Sequence, residues 1–239
     1  MRVLFVITAR GGSRGVPGKN IKMVGKLPLI AYKIISAKKC KYESRIIVST
    51  EDAEIAWISK EYGAEVPFVR PQELATDSAN STDVILHAMH WINENDSAHY
   101  DYICALEPSS PFASYVDLNH ALDLIVEKDA DTLLGMKEAE VSTRFIHPLD
   151  INGGLSEFYH VIKKLPSVRR QDQKKEYTMN GCMYIAKWDY FMKNNLFHSE
   201  KSVPYVMSAE NSVEIDTMLD YNIACHIIEN GIIDFSLWL

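Results

Sequence analysis

The chain lacks the marks of several large protein classes. Its four cysteines, Cys40, Cys104, Cys182 and Cys225, form no C-x-x-C pair. Neither a zinc site nor a disulfide framework is therefore indicated, and reduced, mostly buried thiols are expected. Positive charge is not in surplus: 25 Lys and Arg stand against 32 Asp and Glu, a net charge of −7. That balance excludes a nucleic-acid partner held by bulk electrostatics. No apolar run approaches the length of a membrane span. The first one is too short for a signal-peptide core and ends in glycines and arginines, so the cytoplasm is the expected compartment, with no membrane partner. Internal repeats and low-complexity segments are missing as well. What remains is an ordinary globular composition, 47% hydrophobic and 24% charged over 239 residues, enough for one large α/β domain.

With an acidic chain, an anion site must be a local basic cluster, and the opening residues supply one. Val3 to Ile7 is an unbroken, β-branched apolar run, the pattern of a strand buried on both faces. Arg10 to Asn20 then holds Gly11, Gly12, Gly15 and Gly18 with Arg10, Arg14 and Lys19. Glycine lets backbone N–H groups turn toward an anion and the cations add charge, so this stretch reads as a polyphosphate cradle. Its place after a buried strand is where open α/β sheets bind ligands. It matches neither familiar nucleotide loop. Ser13 stands where a Walker loop needs its first glycine, Lys19 is followed by Asn20, and no two glycines have the G-x-G spacing.

Downstream, strand and helix patterns alternate. A helix is expected after Pro28, with Ile30, Ala31, Ile34 and Ile35 at four-residue spacing, then a strand at 45–50 and a helix carrying Ile55, Ile58 and Tyr62. Residues 65–69 read as a third strand, and Ser81 or Thr82 as the cap of a helix bearing Ile85, Met89 and Ile92. A strand at 102–106 and a helix with Leu118, Ala121, Leu122 and Ile125 come next. Such alternation to about residue 136 marks a mostly parallel, doubly wound sheet. Beyond it, Asn152-Gly153-Gly154 is a hairpin signal between 146–151 and 155–162, followed by a basic run from Lys163 to Lys175. Strands are expected again at 180–186 and 203–207, then a helix with Leu219, Ile223 and Ile227. The apolar tail, Ile232 to Leu239, is expected to pack on the body or on a partner.

Ala9-Arg-Gly-Gly-Ser-Arg-Gly-Val-Pro-Gly-Lys-Asn20 resembles the nucleotide-binding signature of the sugar-activating cytidylyltransferases. Val48-Ser-Thr-Glu-Asp52, Arg70-Pro-Gln-Glu-Leu-Ala75, Pro108-Ser-Ser-Pro111, Arg170-Gln171, Asn180-Gly181 and Ile215-Asp-Thr217 are similar to blocks of the acylneuraminate branch, in order, over essentially the whole chain. The resemblance implies a Rossmann-like, mostly parallel sheet flanked by helices, of the nucleotide-diphospho-sugar transferase type. It implies a single domain, 1–239, with a hairpin-containing dimerisation and sugar-binding arm at about 138–178. Its partners would be CTP, an acidic keto sugar and a second copy of the chain.

By the same resemblance, Arg10 and Lys19 would hold the triphosphate, with Ala9, Gly11, Gly12, Ser13 and Asn20 on the same ligand and Arg70 and Ser81 on the ribose or base. Glu107 stands where the family commonly has a glutamine reading the cytosine edge. A carboxylate accepts from the N4 amine but, unlike glutamine, cannot donate to N3 or O2, which leaves base choice open. Arg144, Arg170 and Asn180 would face the sugar. Glu214 and Asp216, two apart on an extended segment, point to one face, and their oxygens suit Mg²⁺ with phosphate. From composition alone such a pair before a helix is more often a cap; the resemblance makes it the metal pair, with Asp216, Arg10 and Lys19 as the catalytic groups. The implied reaction is attack of the sugar's anomeric hydroxyl on the α-phosphorus of CTP. No general base stands out, since His87, His90, His99 and His147 are scattered and read as structural or surface residues. Two alternatives stand beside this reading: a synthetase for an eight-carbon keto sugar acid, and a non-catalytic nucleotide binder of the same fold.

Overall fold

A computed structural model describes residues 1–164 and 174–239. In chain order its strands are β1 (Arg2–Thr8), β2 (Met23–Val24), β3 (Leu27–Pro28), β4 (Glu43–Ser49), β5 (Tyr102–Leu106), β6 (Thr132–Glu138), β7 (Tyr177–Lys187) and β8 (Ser202–Met207). The helices are α1 (Leu29–Lys38), α2 (Ala53–Glu61), α3 (Ser81–Asn95), α4 (Tyr115–Glu127), α5 (Ser156–Lys164), α6 (Trp188–Asn194) and α7 (Met218–Glu229). Six strands form one sheet in the order β4-β1-β5-β7-β6-β8, while β2 and β3 make a separate ribbon. Within the six-stranded sheet, pairing is parallel except along β7, which runs antiparallel to both β5 and β6. The expected mostly parallel α/β sheet is therefore present.

The apolar run at the start becomes an interior strand, between β4 and β5, and both of its faces are covered. Val3, Phe5 and Ile7 pack with Ile30 and Ile34 of α1 and Leu118, Leu122 and Ile125 of α4. Leu4 and Val6 point the other way, onto Ile85, Met89 and Ile92 of α3 and Phe191 of α6. A third cluster joins Tyr32, Phe112, Ile215, Ile227 and Trp238. The tail closes it: Trp238 is 2% exposed and its indole donates to Ser36 Oγ at 2.8 Å.

Three expectations need correction. Residues 65–69 do not form a strand; Glu65 makes a single bridge to Ile47, and Pro67 has no N–H with which to extend it. The cap of α3 is neither Ser81 nor Thr82 but Asn80, whose side chain accepts from Thr82 N at 3.1 Å. The hairpin beyond β6 is absent from the described residues. The turn itself forms, with Asp150 N donating to Gly154 O at 3.0 Å, but α5 comes after it in place of a strand. Glu157 in the first turn and Lys163 and Lys164 in the last complement the helix dipole. Phe158 and Ile162, four apart, are its half-buried positions. Arg170 and Gln171 lie outside the described residues.

Candidate active site

The carboxyl ends of β1 and β5 open onto a cleft of about 310 Å³ lined by Arg10, Ser13, Arg14, Lys19, Asn20, Ser81, Glu107 and Asp216, among others. Residues of the opening loop and residues 81, 107 and 216, far apart in sequence, thus share one concavity, whose lining does not include Ala9, Gly11 or Gly12. Ala9 is buried in the core, and its N–H donates to Ser49 O. Asn20 is buried beneath the loop and donates to Arg10 O at 2.9 Å, fixing the loop's return.

The loop's donors already have carboxylate partners. Arg10 pairs with Asp77 at 2.7 Å, and Arg14 pairs with the other oxygen of the same residue. Gly11 N donates to Glu51 Oε1 at 2.8 Å. Lys19 donates to Ile215 O at 2.8 Å and meets Asp216 Oδ1 at 3.2 Å. These partly exposed pairs contribute little to stability, about 1 kcal/mol each at most. Their importance is spatial: they hold the cations at the rim where a polyphosphate could compete for them.

Lys19 is also the link between the first motif and the last. Ile215, buried in the third cluster, separates Glu214 from Asp216, and its N–H donates to Ser109 O at 2.8 Å. A Cβ on Gly15 would collide with the carbonyl oxygen of Asp216, so only glycine lets the loop lie against this segment. Gly181, at φ +66°, makes a second close approach. A Cβ there would stand 2.6 Å from Ser110 Oγ, 3.2 Å from Glu214 Oε1 and 3.3 Å from Glu107 Oε2. Three oxygens therefore converge above one bare Cα. Ser110 Oγ is buried with no hydrogen-bond partner among the described residues. Burial, and then the nearby Glu214, push the Glu107 carboxyl up to about 7. Glu214 keeps an exposed edge, yet its carboxyl is also raised, by desolvation first and by Asp216 next.

The remaining expected residues lie around this centre. Arg70 is buried under the end of β4, donating to Ser49 Oγ at 3.1 Å and to the Ser49 carbonyl. Burial lowers its pKa, with Glu51 opposing. Arg70 and Glu107 therefore sit on opposite sides of β1 in the sheet order. Asn180 is buried and fully engaged: it donates to Ser212 Oγ at 2.9 Å and Met136 O at 3.3 Å, and accepts from Cys182 N at 3.1 Å. Arg144 sits on a 3₁₀ turn, Thr143–Phe145, beyond β6 and does not line the cleft. Gly12 has open space around it.

A family model described as Cytidylyltransferase matches residues 4–204, which includes the loop, Glu107 and Gly181. The chain belongs to the cytidylyltransferase family. It is 33% identical over 228 residues to the CMP-N,N'-diacetyllegionaminic acid synthase of Campylobacter jejuni, covering 95% of this chain and 94% of that one. A pseudaminic acid cytidylyltransferase of the same species is 31% identical over 225 residues, 94% of this chain and 95% of the relative. Among solved structures, CMP:2-keto-3-deoxy-manno-octonic acid synthetase complexed with CTP superposes with a TM-score of 0.68 at 15% identity, covering 97% and 100% of the two chains. That likeness shows a shared fold.

In this cytidylyltransferase, sequence reasoning missed Asp77, Ser110 and Lys33 as parts of the site or its support, and placed Arg14 in the cradle without giving it a partner. Arg14 carried a signal, being the second arginine of the loop. Asp77 lay in a polar stretch that gave no reason to face the loop. Lys33 sits in the middle of an apolar helix, where a lone lysine ordinarily reads as a solvated charge.

Proposed function

We propose that this cytidylyltransferase transfers CMP from CTP to the anomeric hydroxyl of a sialic-acid-like nonulosonic acid. The sugar oxygen forms a bond to the α-phosphorus, the bond to the β-phosphate oxygen breaks, pyrophosphate leaves and the hydroxyl proton is released. One observation carries the reading: Lys19 joins the glycine loop to the Glu214–Asp216 segment within hydrogen-bond reach. Basic loop side chains and Asp216 then line one cleft, with Glu214 two residues from Asp216, an arrangement that suits in-line phosphoryl displacement. The acceptor class is supported by relatives, 31–33% identical over nearly their full length, whose names specify legionaminic and pseudaminic acids.

In this reading Arg10, Arg14 and Lys19 exchange carboxylate partners for phosphate oxygens and hold the leaving pyrophosphate. Arg70 and Ser81 border the nucleoside end. Glu107, beside Glu214 and Gly181, supports a role next to the α-phosphate and the acceptor, leaving the cytosine to the Arg70 side. Mg²⁺ fits the donor set: Glu214 and Asp216 are oxygen ligands, and phosphate oxygens and water would complete its shell. Among the described residues no cluster of three or more acidic, His or Cys side chains forms a self-sufficient metal site, which suits an ion that arrives with its nucleotide. When bound, Mg²⁺ would offset negative charge on the leaving phosphates.

The segment beyond β6 exposes Ile146, Leu149, Ile151, Leu155 and Tyr159, with Ile151 fully exposed. So many apolar side chains on one stretch suit burial against a second copy, which supports a homodimer as the active form. Cysteines that are all free suit a reducing compartment such as the cytoplasm, and no helix among the described residues is long and apolar enough to cross a membrane. Pyrophosphate release with CTP, Mg²⁺ and a panel of nonulosonic acids tests the function. Turnover with at least one such acid is expected; CTP binding with no turnover on any of them would overturn it.

A further inference from the structure

Lys33 lies midway along α1 and is 0% exposed. Burying an ammonium without compensation is expensive, and methionine would fill the same space without that cost. Its Nζ donates to Cys182 O at 2.9 Å. Cys182 directly follows Gly181, whose Cα faces Glu107 Oε2, Glu214 Oε1 and Ser110 Oγ. Opposite this stretch the β6–β7 pairing slips, from Leu134 with Tyr184 to Met136 with Met179, so Gly181 and Cys182 belong to a bulge that ladder bonds do not hold. Asn180 ties the bulge on one side through Met136 and Ser212. Lys33 ties it on the other, from inside the core. The ammonium therefore stands behind the bulge and the Glu107 carboxyl in front of it.

We propose that Lys33 is a positioning residue: its buried ammonium holds the Gly181–Cys182 bulge by the Cys182 carbonyl and supplies the counter-charge that keeps Glu107 seated at the reaction cleft. The electrostatics agree in direction. Burial lowers the Lys33 pKa, and the thiols of Cys182 and Cys104 with the carboxyls of Asp117 and Glu107 oppose that fall. Lys33 likewise opposes the rise at Glu107. The proposal rests on the cleft being the site of cytidylyl transfer only for its kinetic part.

A double-mutant cycle over Lys33→Met and Glu107→Gln is the test, read by steady-state kinetics and by urea unfolding. Lys33→Met is expected to lower kcat at least about tenfold while the KM for CTP stays within about twofold, because the triphosphate donors lie on another loop. In Lys33→Met/Glu107→Gln, where no carboxylate needs a counter-charge, kcat returns to within about threefold of Glu107→Gln alone. In unfolding, Lys33→Met shifts the equilibrium constant at least about tenfold more in the wild-type background than in the Glu107→Gln background. A wild-type kcat in Lys33→Met, or additive effects in both readouts, would overturn the proposal. Should Lys33→Met fail to fold, the double variant must fold, and its failure overturns the proposal equally. If the wild-type enzyme turns over CTP with no acid, the functional reading falls, and the unfolding cycle still decides whether Lys33 and Glu107 are coupled.

Discussion

Replacing Glu107 by glutamine should stabilise the ligand-free protein, by an amount that sets in above pH 4.5 and is nearly complete by about pH 7. In the folded chain burial and then Glu214 push this carboxyl from its usual 4.5 up to about 7. Between those values the folded state keeps a proton that the unfolded state has released. The native state is therefore favoured below pH 4.5, and that advantage is lost as pH rises through about 7. At about 1.4 kcal/mol for each unit of pKa, moving from 4.5 to about 7 corresponds to about 3 kcal/mol. Glutamine matches the protonated acid in shape and does not titrate. The difference in unfolding free energy between Glu107→Gln and wild type should start near zero at low pH and grow to about 3 kcal/mol at pH 8. In Tm that is a gain of about 6–12 °C for a chain of this size. The assay is urea or thermal unfolding in EDTA without nucleotide, from pH 5 to 8.5. A difference that does not change with pH, or a wild type more stable than the variant at pH 8, would show that Glu107 is not a buried carboxyl that holds its proton in the folded state.

Other substitutions probe the cleft and the frame separately. Lys19→Ala should lower turnover by about 10² or more, by removing a cation from the leaving-group side, with little change in Tm because the Asp216 it meets is largely exposed; near-normal turnover would refute the cradle assignment. Asp216→Asn should abolish stimulation by Mg²⁺, and an unchanged metal titration would count against the ligand role. Trp238→Ala should cost about 3–5 kcal/mol, since the indole is buried against Tyr32 and Phe112 and bonds Ser36; a loss below about 1 kcal/mol would show that the tail docks only loosely.

The doubly wound sheet was legible in the sequence because strands buried on both faces write themselves as continuous apolar runs, as Val3–Ile7 and Tyr102–Leu106 do. Caps and turns were legible to within a residue, since Asn80 and Ser81 offer the same chemistry one position apart. The segment after β6 misled for a physical reason. Asn152-Gly153-Gly154 does turn the chain, but a turn does not dictate whether the next residues become strand or helix, and the four-residue spacing of Phe158 and Ile162 belongs to a helix. Within the site, the loop announced itself through glycine and charge packed into a few residues. The convergence of Glu107, Ser110, Gly181 and Glu214 could not be read from spacing, because it arises where β7 enters the sheet antiparallel and bulges. Lys33 was hidden for the opposite reason: sequence shows its charge but not its burial.

The most direct test of the central claim is mass spectrometry of the product formed from CTP and an 18O-labelled nonulosonic acid carrying the label at its anomeric hydroxyl. Cytidylyl transfer to the anomeric oxygen gives a CMP-linked sugar that retains the label, together with unlabelled pyrophosphate. Unchanged CTP, or free CMP or CDP with no sugar adduct, would contradict it.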